Sequence, residues 1–231
     1  MRILIQLTGE RIDIQDIQFG LNTSSWKIIE ETDGFYLNSP ELDKLNDNAE
    51  IISKAKQFLD VANGAANIFH QDHKHVGIGA IKQKNDKGGY NISISLSSTI
   101  QFRSRLRGTL TTNLDPSSNL IVTTIEDWIE KADKYESVRD TLHFFNEITW
   151  WNLYKIYEII NDDVGGQERL YKLIPKSELR LVTQAAQSRE LLGEHARHAS
   201  KKYKPPATPV TINQAHATIK KLFENWINLK E

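Results

Sequence analysis

The strongest constraint on the fold is a change in the spacing of apolar residues near the middle of this 231-residue chain. Up to about residue 112, apolar and polar residues mostly alternate, which is typical of half-buried strands. After a proline–serine cluster at 113–122, apolar residues recur at the spacing of amphipathic helices. Strands followed by helices predict an α+β fold and not an alternating parallel sheet. We therefore expect an α+β module over residues 1–115 and an all-α helical bundle over residues 123–231.

The N-terminal module is predicted to be a mostly antiparallel sheet with one long helix. Alternation predicts strands at 2–8, 16–22, 26–38, 75–82, 89–97 and 99–112. Asp33-Gly34 divides the third of these segments with the chemistry of a tight hairpin turn. Asp47 and Glu50 have the spacing of a capping box, and Asn63-Gly64 is a typical helix terminator. A helix is therefore expected over about 47–63.

The helical half is dominated by residues 149–166, TWWNLYKIYEIINDDVGG, in which apolar and aromatic side chains recur at helical spacing. The pattern leaves open whether residues 137–162 form one helix or two. Thr211 and Gln214 predict a capping box for the last helix, ahead of a regular apolar stripe. We expect the aromatic side chains of 149–166 to lie in the core. Glu158 is then expected to lie near Arg197 or His198, because buried charges need partners.

Composition excludes several classes of function. The chain has no cysteine, which excludes disulfides, thiolate catalysis and cysteine-ligated metal sites. Its formal net charge is −1, so bulk charge favours neither nucleic acid nor a membrane surface. The N-terminus does not resemble a signal peptide and no apolar run is long enough to span a bilayer, so we expect a cytoplasmic protein with no membrane partner. The P-loop, nucleophile-elbow and zincin motifs are absent, and we predict no cofactor.

Residues 70–75, HQDHKH, bring three histidines and an aspartate into one short segment. Imidazole and carboxylate groups are ligands for zinc, nickel or copper. However, the spacing of His70, His73 and His75 matches no established metal motif, and Asp72 and Lys74 are typical of a solvated loop. We favour the loop and predict no metal ligand.

A set of basic side chains is predicted on the sheet: Arg103, Arg105 and Arg107 on one face of a strand, with Lys82 and Lys84 on the neighbouring hairpin. Alternate residues of a strand lie about 7 Å apart, so these side chains could follow a phosphate backbone. A solvated sheet face or a charge-protected edge strand accounts for the same pattern. Both interpretations stay open.

The last candidate is the segment 189–198, RELLGEHARH, in which Arg189 precedes His195 by six positions and Arg197-His198 follows directly. Histidine transfers protons near neutral pH, as cleavage at a ribose 2′-hydroxyl requires. Arginine stabilises the developing phosphorane charge through paired donors. These residue types predict metal-independent RNA cleavage, with Glu158 as their acidic partner.

The spacing of Arg189 and His195 resembles the R-x4–6-H motif of the HEPN superfamily. This resemblance implies a helical bundle in which two protomers build one RNase site, hence a homodimer through the helical half and a role in bacterial defence. Glu190 departs from the residue usual after the arginine, and Arg197-His198-Ala199 is similar to segments of degenerate members. The pattern W-x2-LYKIYE-x4-DVGG resembles a group of uncharacterised bacterial proteins, which implies bacterial origin and no particular activity.

Three functions therefore stay open. The first is a HEPN-like RNase or a non-catalytic relative that targets RNA. The second is a sensor or adaptor that binds a protein partner or a small ligand in a cleft between the two modules. The third is a nucleic-acid-binding module that uses the Arg103–Arg107 face.

Overall fold

The computed structural model describes residues 2–21, 25–70, 72–84, 89–93, 116–197 and 202–231. The strands in these ranges are β1 (Ile3–Thr8), β2 (Lys27–Glu31), β3 (Gly34–Asn38), β4 (Gly77–Lys84) and β5 (Tyr90–Ser93). The α-helices in them are α1 (Arg11–Phe19), α2 (Asn48–Phe69), α3 (Pro116–Lys134), α4 (Glu136–Phe145), α5 (Trp150–Asp163), α6 (Gln167–Leu170), α7 (Lys176–Gln187), α8 (Arg189–Leu192) and α9 (Ile212–Ile227). The predicted α+β class, with a helical second half, is confirmed.

The chain divides into two compact units. The first contains Met1–Ala66 and Asp72–Ile129, and the second contains Asn67–Gln71 and Glu130–Glu231. The boundaries at 66/67 and 129/130 therefore fall inside α2 and α3, and the boundary at 71/72 lies between α2 and β4. No helix in the described ranges is both long enough and apolar enough to cross a lipid bilayer.

The sheet of the first unit has the order β2-β3-β1-β4-β5, and all neighbouring strands are antiparallel. β1 lies at the centre, and its Ile3, Leu4 and Ile5 are fully buried because both faces of the strand are covered. The predicted hairpin between β2 and β3 is confirmed. Glu31 pairs with Gly34, so Thr32-Asp33 occupy the turn, one residue earlier than expected.

The predicted strand at 16–22 is wrong, because α1 occupies residues 11–19. The apolar residues of this segment fit both the two-residue period of a strand and the 3.6-residue period of a helix, but the helix buries Asp13, Ile14 and Ile17 on one side. Gly20 ends α1 with an ordinary backbone conformation. A β-carbon there would lie 2.7 Å from Cγ2 of Ile125, so close packing requires glycine.

The predicted helix at 47–63 begins as expected but continues to Phe69. The Asp47 carboxylate accepts a hydrogen bond from the Glu50 backbone N–H, which confirms the N-cap. Asn63 does not terminate the helix. Its side chain instead exchanges two hydrogen bonds with the backbone of Val76, which lies outside the helix.

Several other boundaries differ from the prediction. Helix α3 begins at Pro116, inside the proline–serine cluster, because proline is well suited to the first turn of a helix. The strand predicted at 75–82 is β4, and only residues 90–93 of the segment 89–97 form the described strand β5. The segment predicted at 99–112 lies outside the described residues.

The second unit is built from helices that bury apolar stripes. Residues 137–162 form two helices, α4 and α5, and the Thr149 hydroxyl caps α5 by accepting from the Asn152 N–H. The capping box of Thr211 and Gln214 is confirmed. The predicted stripe on α9 is buried as well: Ala215, Ile219, Leu222, Phe223, Trp226 and Ile227. These side chains form much of the core of the second unit.

Candidate functional site

A groove of about 380 Å³ lies in the second unit among α5, α6 and α7. This volume falls within the range of small-molecule sites. The lining side chains are mostly aromatic, polar or basic: Tyr154, Tyr157, Gln167, Tyr171, Lys176, Leu179, Arg180, Thr183 and Gln187. None of these nine residues carries a carboxylate. The groove therefore has the composition of a site for an anion with an aromatic part.

The tyrosine rings of the groove are held in fixed positions. Tyr154 and Tyr157 meet edge to face, with ring centroids 5.3 Å apart. The Tyr154 hydroxyl accepts a hydrogen bond of 2.7 Å from Gln187, and the Tyr171 hydroxyl donates one of 3.3 Å to Gln167. Burial raises the pKa of the Tyr157 phenol, so the ring stays neutral at physiological pH. Tyr157 thus presents a neutral ring to the groove, and hydrogen bonds hold the hydroxyls of Tyr154 and Tyr171.

Two cationic side chains, Lys176 and Arg180, line this groove. The Lys176 ammonium lies 5.4 Å from the centroid of the Tyr171 ring. Arg180 is exposed, and in the described part of the chain neither it nor Lys176 forms an ion pair with a carboxylate. The neighbouring Glu178 is directed elsewhere, to Lys221 at 3.1 Å. An anion that enters the groove can therefore bind both cations without displacing an acidic partner.

Beside the groove, Glu158 pairs with Arg197, one of the two partners that the sequence predicted for it. Arg197 Nη2 lies 2.5 Å from Glu158 Oε1, and Lys155 Nζ lies 3.1 Å from Glu158 Oε2. The Arg197 guanidinium also lies 4.4 Å from the centroid of the Tyr154 ring. Its backbone N–H donates to the Ala186 carbonyl. Arg197 thus joins the segment after α8 to α5 and α7, and Glu158 neutralises it.

Among the described residues, the predicted acid–base group divides into a contacting pair, Glu158 and Arg197, and two exposed residues. Arg189 is exposed at the start of α8, and His195 is exposed in the 3-10 turn that follows. Among the described residues, the His195 ring has no hydrogen-bond or ion-pair partner. His198 lies outside the described residues. Of the predicted catalytic residues that the structure describes, Glu158 and Arg197 are in contact.

The predicted basic face is only partly described. Lys82 Nζ lies 2.6 Å from Asp33 Oδ2 and 4.2 Å from the centroid of the Tyr36 ring. The hydrogen bond with Asp33 raises the pKa of the Lys82 ammonium. This lysine is therefore already paired with a carboxylate. The Lys84 side chain and residues Arg103, Arg105 and Arg107 lie outside the described part.

The histidine segment differs from the predicted solvated loop. Asp72, Lys74 and His75 are exposed, but the His73 side chain is only 2% exposed. Its Nδ1 lies 3.5 Å from Asp13 Oδ1 and 4.0 Å from Asp16 Oδ2 on α1. These atoms are the candidate metal ligands in the described residues. The prediction of a solvated loop is therefore wrong for His73, because its partners lie far away in sequence, whereas the absence of a metal ligand stays a prediction.

No pattern in the sequence indicates the groove. Tyr154 and Tyr157 lie among the apolar residues of α5 and were expected to pack in the core, which is confirmed for the buried Tyr154. Lys176 and Arg180 were not singled out, because single basic residues on a short helix are common. Their position opposite the tyrosines depends on how α5 and α7 pack, which a single sequence does not reveal.

Comparison of the chain with protein-family models, with curated proteins and with solved structures finds no match. The HEPN resemblance therefore stays a prediction drawn from Arg189 and His195.

Proposed function

We propose that the helical unit is a binding module for a small aromatic anion of the nucleotide class, and that the protein acts as a sensor or adaptor. One observation carries this proposal. Three tyrosines and two cations line a single groove, and none of its lining residues carries a carboxylate. The proposal keeps the predicted class of function but assigns the ligand to the helical unit alone.

The chemistry of recognition follows from these side chains. A base stacks on the half-buried rings of Tyr157 and Tyr171, which contributes about 1–3 kcal/mol for each base–aromatic contact. A phosphate accepts charge-assisted hydrogen bonds from Lys176 and Arg180, each worth about 1.5–3 kcal/mol. The cost of association offsets much of this gain, so we expect a dissociation constant of about 10 μM to 1 mM. The groove volume of about 380 Å³ suits one mononucleotide.

The experiment is a calorimetric titration with three probes: adenosine 5′-monophosphate, adenosine and ribose 5-phosphate. We expect the monophosphate to bind most tightly, because only it offers both the ring and the phosphate. Arg180→Gln and Lys176→Gln should each weaken its binding about 10-fold or more. Lys172→Gln is the matched control, since Lys172 is exposed nearby but does not line the groove.

Two results would contradict the proposal. One is the absence of binding by all three probes at millimolar concentration. The other is an equal loss of affinity in the Lys172→Gln control. Binding of single-stranded RNA with no binding of mononucleotide would point to RNA as the ligand instead.

RNA cleavage is a second candidate, favoured by the exposure of both Arg189 and His195. Cleavage by the pure protein in the presence of a chelator, lost in His195→Ala while the fold is kept, would support it. If the wild-type protein leaves total RNA intact, this candidate fails and the binding function is unaffected. The nucleic-acid face of Arg103, Arg105 and Arg107 stays a prediction.

A further inference from the structure

A second site lies in the first unit, where a buried histidine faces two aspartates. The side chains of Asp13, Asp16 and His73 are 1%, 11% and 2% exposed. Asp13 and Asp16 lie on the same side of α1, one turn apart, and His73 lies in the segment before β4. The Nδ1 atom of His73 is buried and has no hydrogen-bond partner. Buried polar atoms without a hydrogen-bond partner are rare, so an unpartnered imidazole nitrogen directed at two carboxylates requires an explanation.

The orientation of Asn63 determines which imidazole nitrogen carries a proton. Its Nδ2 donates to the Val76 carbonyl at 2.9 Å, and its Oδ1 accepts from the Val76 N–H at 2.8 Å. A reversed amide would lose both bonds, so the Asn63 oxygen is the atom that faces His73. His73 Nε2 lies 3.0 Å from this oxygen and must therefore be the donor. In the neutral ring the proton is on Nε2, and the lone pair of Nδ1 points at the aspartates.

This arrangement is that of a metal ligand held by an outer partner. Histidines that bind metals commonly donate their other N–H to an oxygen, which fixes the tautomer and the ring. Without a cation, the Nδ1 lone pair would face two buried carboxylates at an electrostatic cost. If Nδ1 were protonated, its distance of 3.5 Å from Asp13 Oδ1 would still exceed the usual hydrogen-bond range.

The separations between His73 Nδ1 and the two carboxylate oxygens are close to those between neighbouring ligands of one metal ion. With metal–ligand distances of about 2.0–2.1 Å, neighbouring ligands of a tetrahedral ion lie about 3.4 Å apart. The observed separations of 3.5 Å and 4.0 Å approach this value, and all the ligand atoms lie within 4.8 Å of one another. Octahedral magnesium, with bonds of about 2.0–2.1 Å, would require about 3.0 Å, whereas the longer bonds of calcium allow about 3.3–3.7 Å. The spacing therefore disfavours magnesium, and the imidazole nitrogen donor favours zinc over calcium, which takes oxygen ligands.

We propose that Asp13, Asp16 and His73 bind a zinc-class divalent cation in the first unit, with Asn63 as the positioning residue that holds His73. The two carboxylates neutralise the ion, and the neutral imidazole supplies the third ligand. The fourth position is left to water or to an added ligand. The ion joins α1 to the segment before β4, so its binding stabilises the first unit. This site is independent of the groove in the second unit.

The test uses full-length protein from which any affinity tag has been removed and which has been dialysed against chelator. Titration with zinc chloride should give one ion per chain with a dissociation constant in the micromolar range or tighter. At a free zinc concentration 100 times this constant, the melting temperature should rise by roughly 5–10 °C. Magnesium at the same concentration should give no comparable shift.

Asp16→Asn is the most informative variant, because Asp16 is the least buried of the three ligands. It should weaken zinc binding at least about 100-fold while the circular dichroism spectrum is unchanged. His75→Gln is the matched control. It removes an exposed histidine two residues from His73 and should change the affinity less than 2-fold, about the uncertainty of such a titration.

A spectroscopic measurement on the wild-type protein keeps the test independent of variant folding. Long-range proton–nitrogen NMR should show the Nε2–H tautomer of His73 before zinc is added, and zinc should shift the Nδ1 resonance. The proposal is overturned if no stoichiometric zinc binding occurs, if Asp16→Asn binds zinc as tightly as wild type, or if zinc leaves the Nδ1 resonance unchanged.

Discussion

Replacement of Arg197 by methionine tests whether this arginine stabilises the helical unit or acts on a substrate. Its guanidinium pairs with Glu158 at 2.5 Å and lies 4.4 Å from the centre of the Tyr154 ring. The two charged side chains are 25% and 29% exposed, so the strength of this ion pair should lie between that of an exposed pair and that of a buried pair. We expect about 1–2 kcal/mol from the ion pair and about 0.5–1 kcal/mol from the ring contact. Arg197→Met should therefore lower the free energy of unfolding by about 1.5–3 kcal/mol.

Urea denaturation measures this change, and thermal unfolding should show a fall of about 5–10 °C. Arg180→Met is the matched control for stability, since Arg180 is exposed and forms no ion pair among the described residues. It should change the free energy of unfolding by less than about 0.5 kcal/mol. A double-mutant cycle with Glu158→Gln should give a coupling energy of about 1–2 kcal/mol. Wild-type stability of Arg197→Met, with loss of an RNase activity, would refute the structural role.

Three further predictions concern stability. Burial lowers the pKa of His216 to about 4, below the ordinary histidine value of 6.5 that applies in the unfolded state. Below pH 6.5 the unfolded state therefore binds more protons than the folded state, and stability should fall by up to about 3 kcal/mol between pH 6.5 and pH 4. In urea titrations at these pH values, His216→Leu should flatten this dependence. Gly20→Ala should cost about 1–3 kcal/mol in the same assay, because the added methyl would lie 2.7 Å from Ile125; unchanged stability would contradict that packing. The Asp163 carboxylate accepts hydrogen bonds from three side chains, so Asp163→Asn should cost about 1–3 kcal/mol of stability in thermal unfolding. Replacement of the exposed neighbour, Asp162→Asn, should leave the stability almost unchanged.

Local signals in the sequence predicted the elements whose structure is determined locally. The capping box of Thr211 and Gln214 and the stripe of α9 are examples, since a cap and a helical period involve only nearby residues. The pairing of Glu158 with Arg197 was also predictable, because a charge within an apolar helix needs a partner. By contrast, residues 11–19 satisfy both the strand and the helix period, and the packing of Ile14 and Ile17 decides for the helix.

The candidate sites depended on contacts between distant residues. His73 lies 60 positions from Asp13, so its neighbours in sequence gave no sign of its burial. Asn63 was interpreted as a helix terminator, but its side chain bonds to Val76 and lets the helix continue. Tyr154 and Tyr157 have the spacing of core residues; Tyr154 is buried as that spacing predicts, and the packing of α5 against α7 leaves Tyr157 half-buried at the groove.

The central claim is that the groove of the helical unit binds an aromatic anion. The most direct measurement is fluorine NMR of protein labelled with 3-fluorotyrosine, titrated with adenosine 5′-monophosphate. The chain has seven tyrosines, and each resonance is assigned by a tyrosine-to-phenylalanine variant. We predict that Tyr157 and Tyr171 shift with one common dissociation constant, while Tyr36 in the first unit stays unchanged. Shifts confined to Tyr36, or no shift at millimolar ligand, would contradict the account.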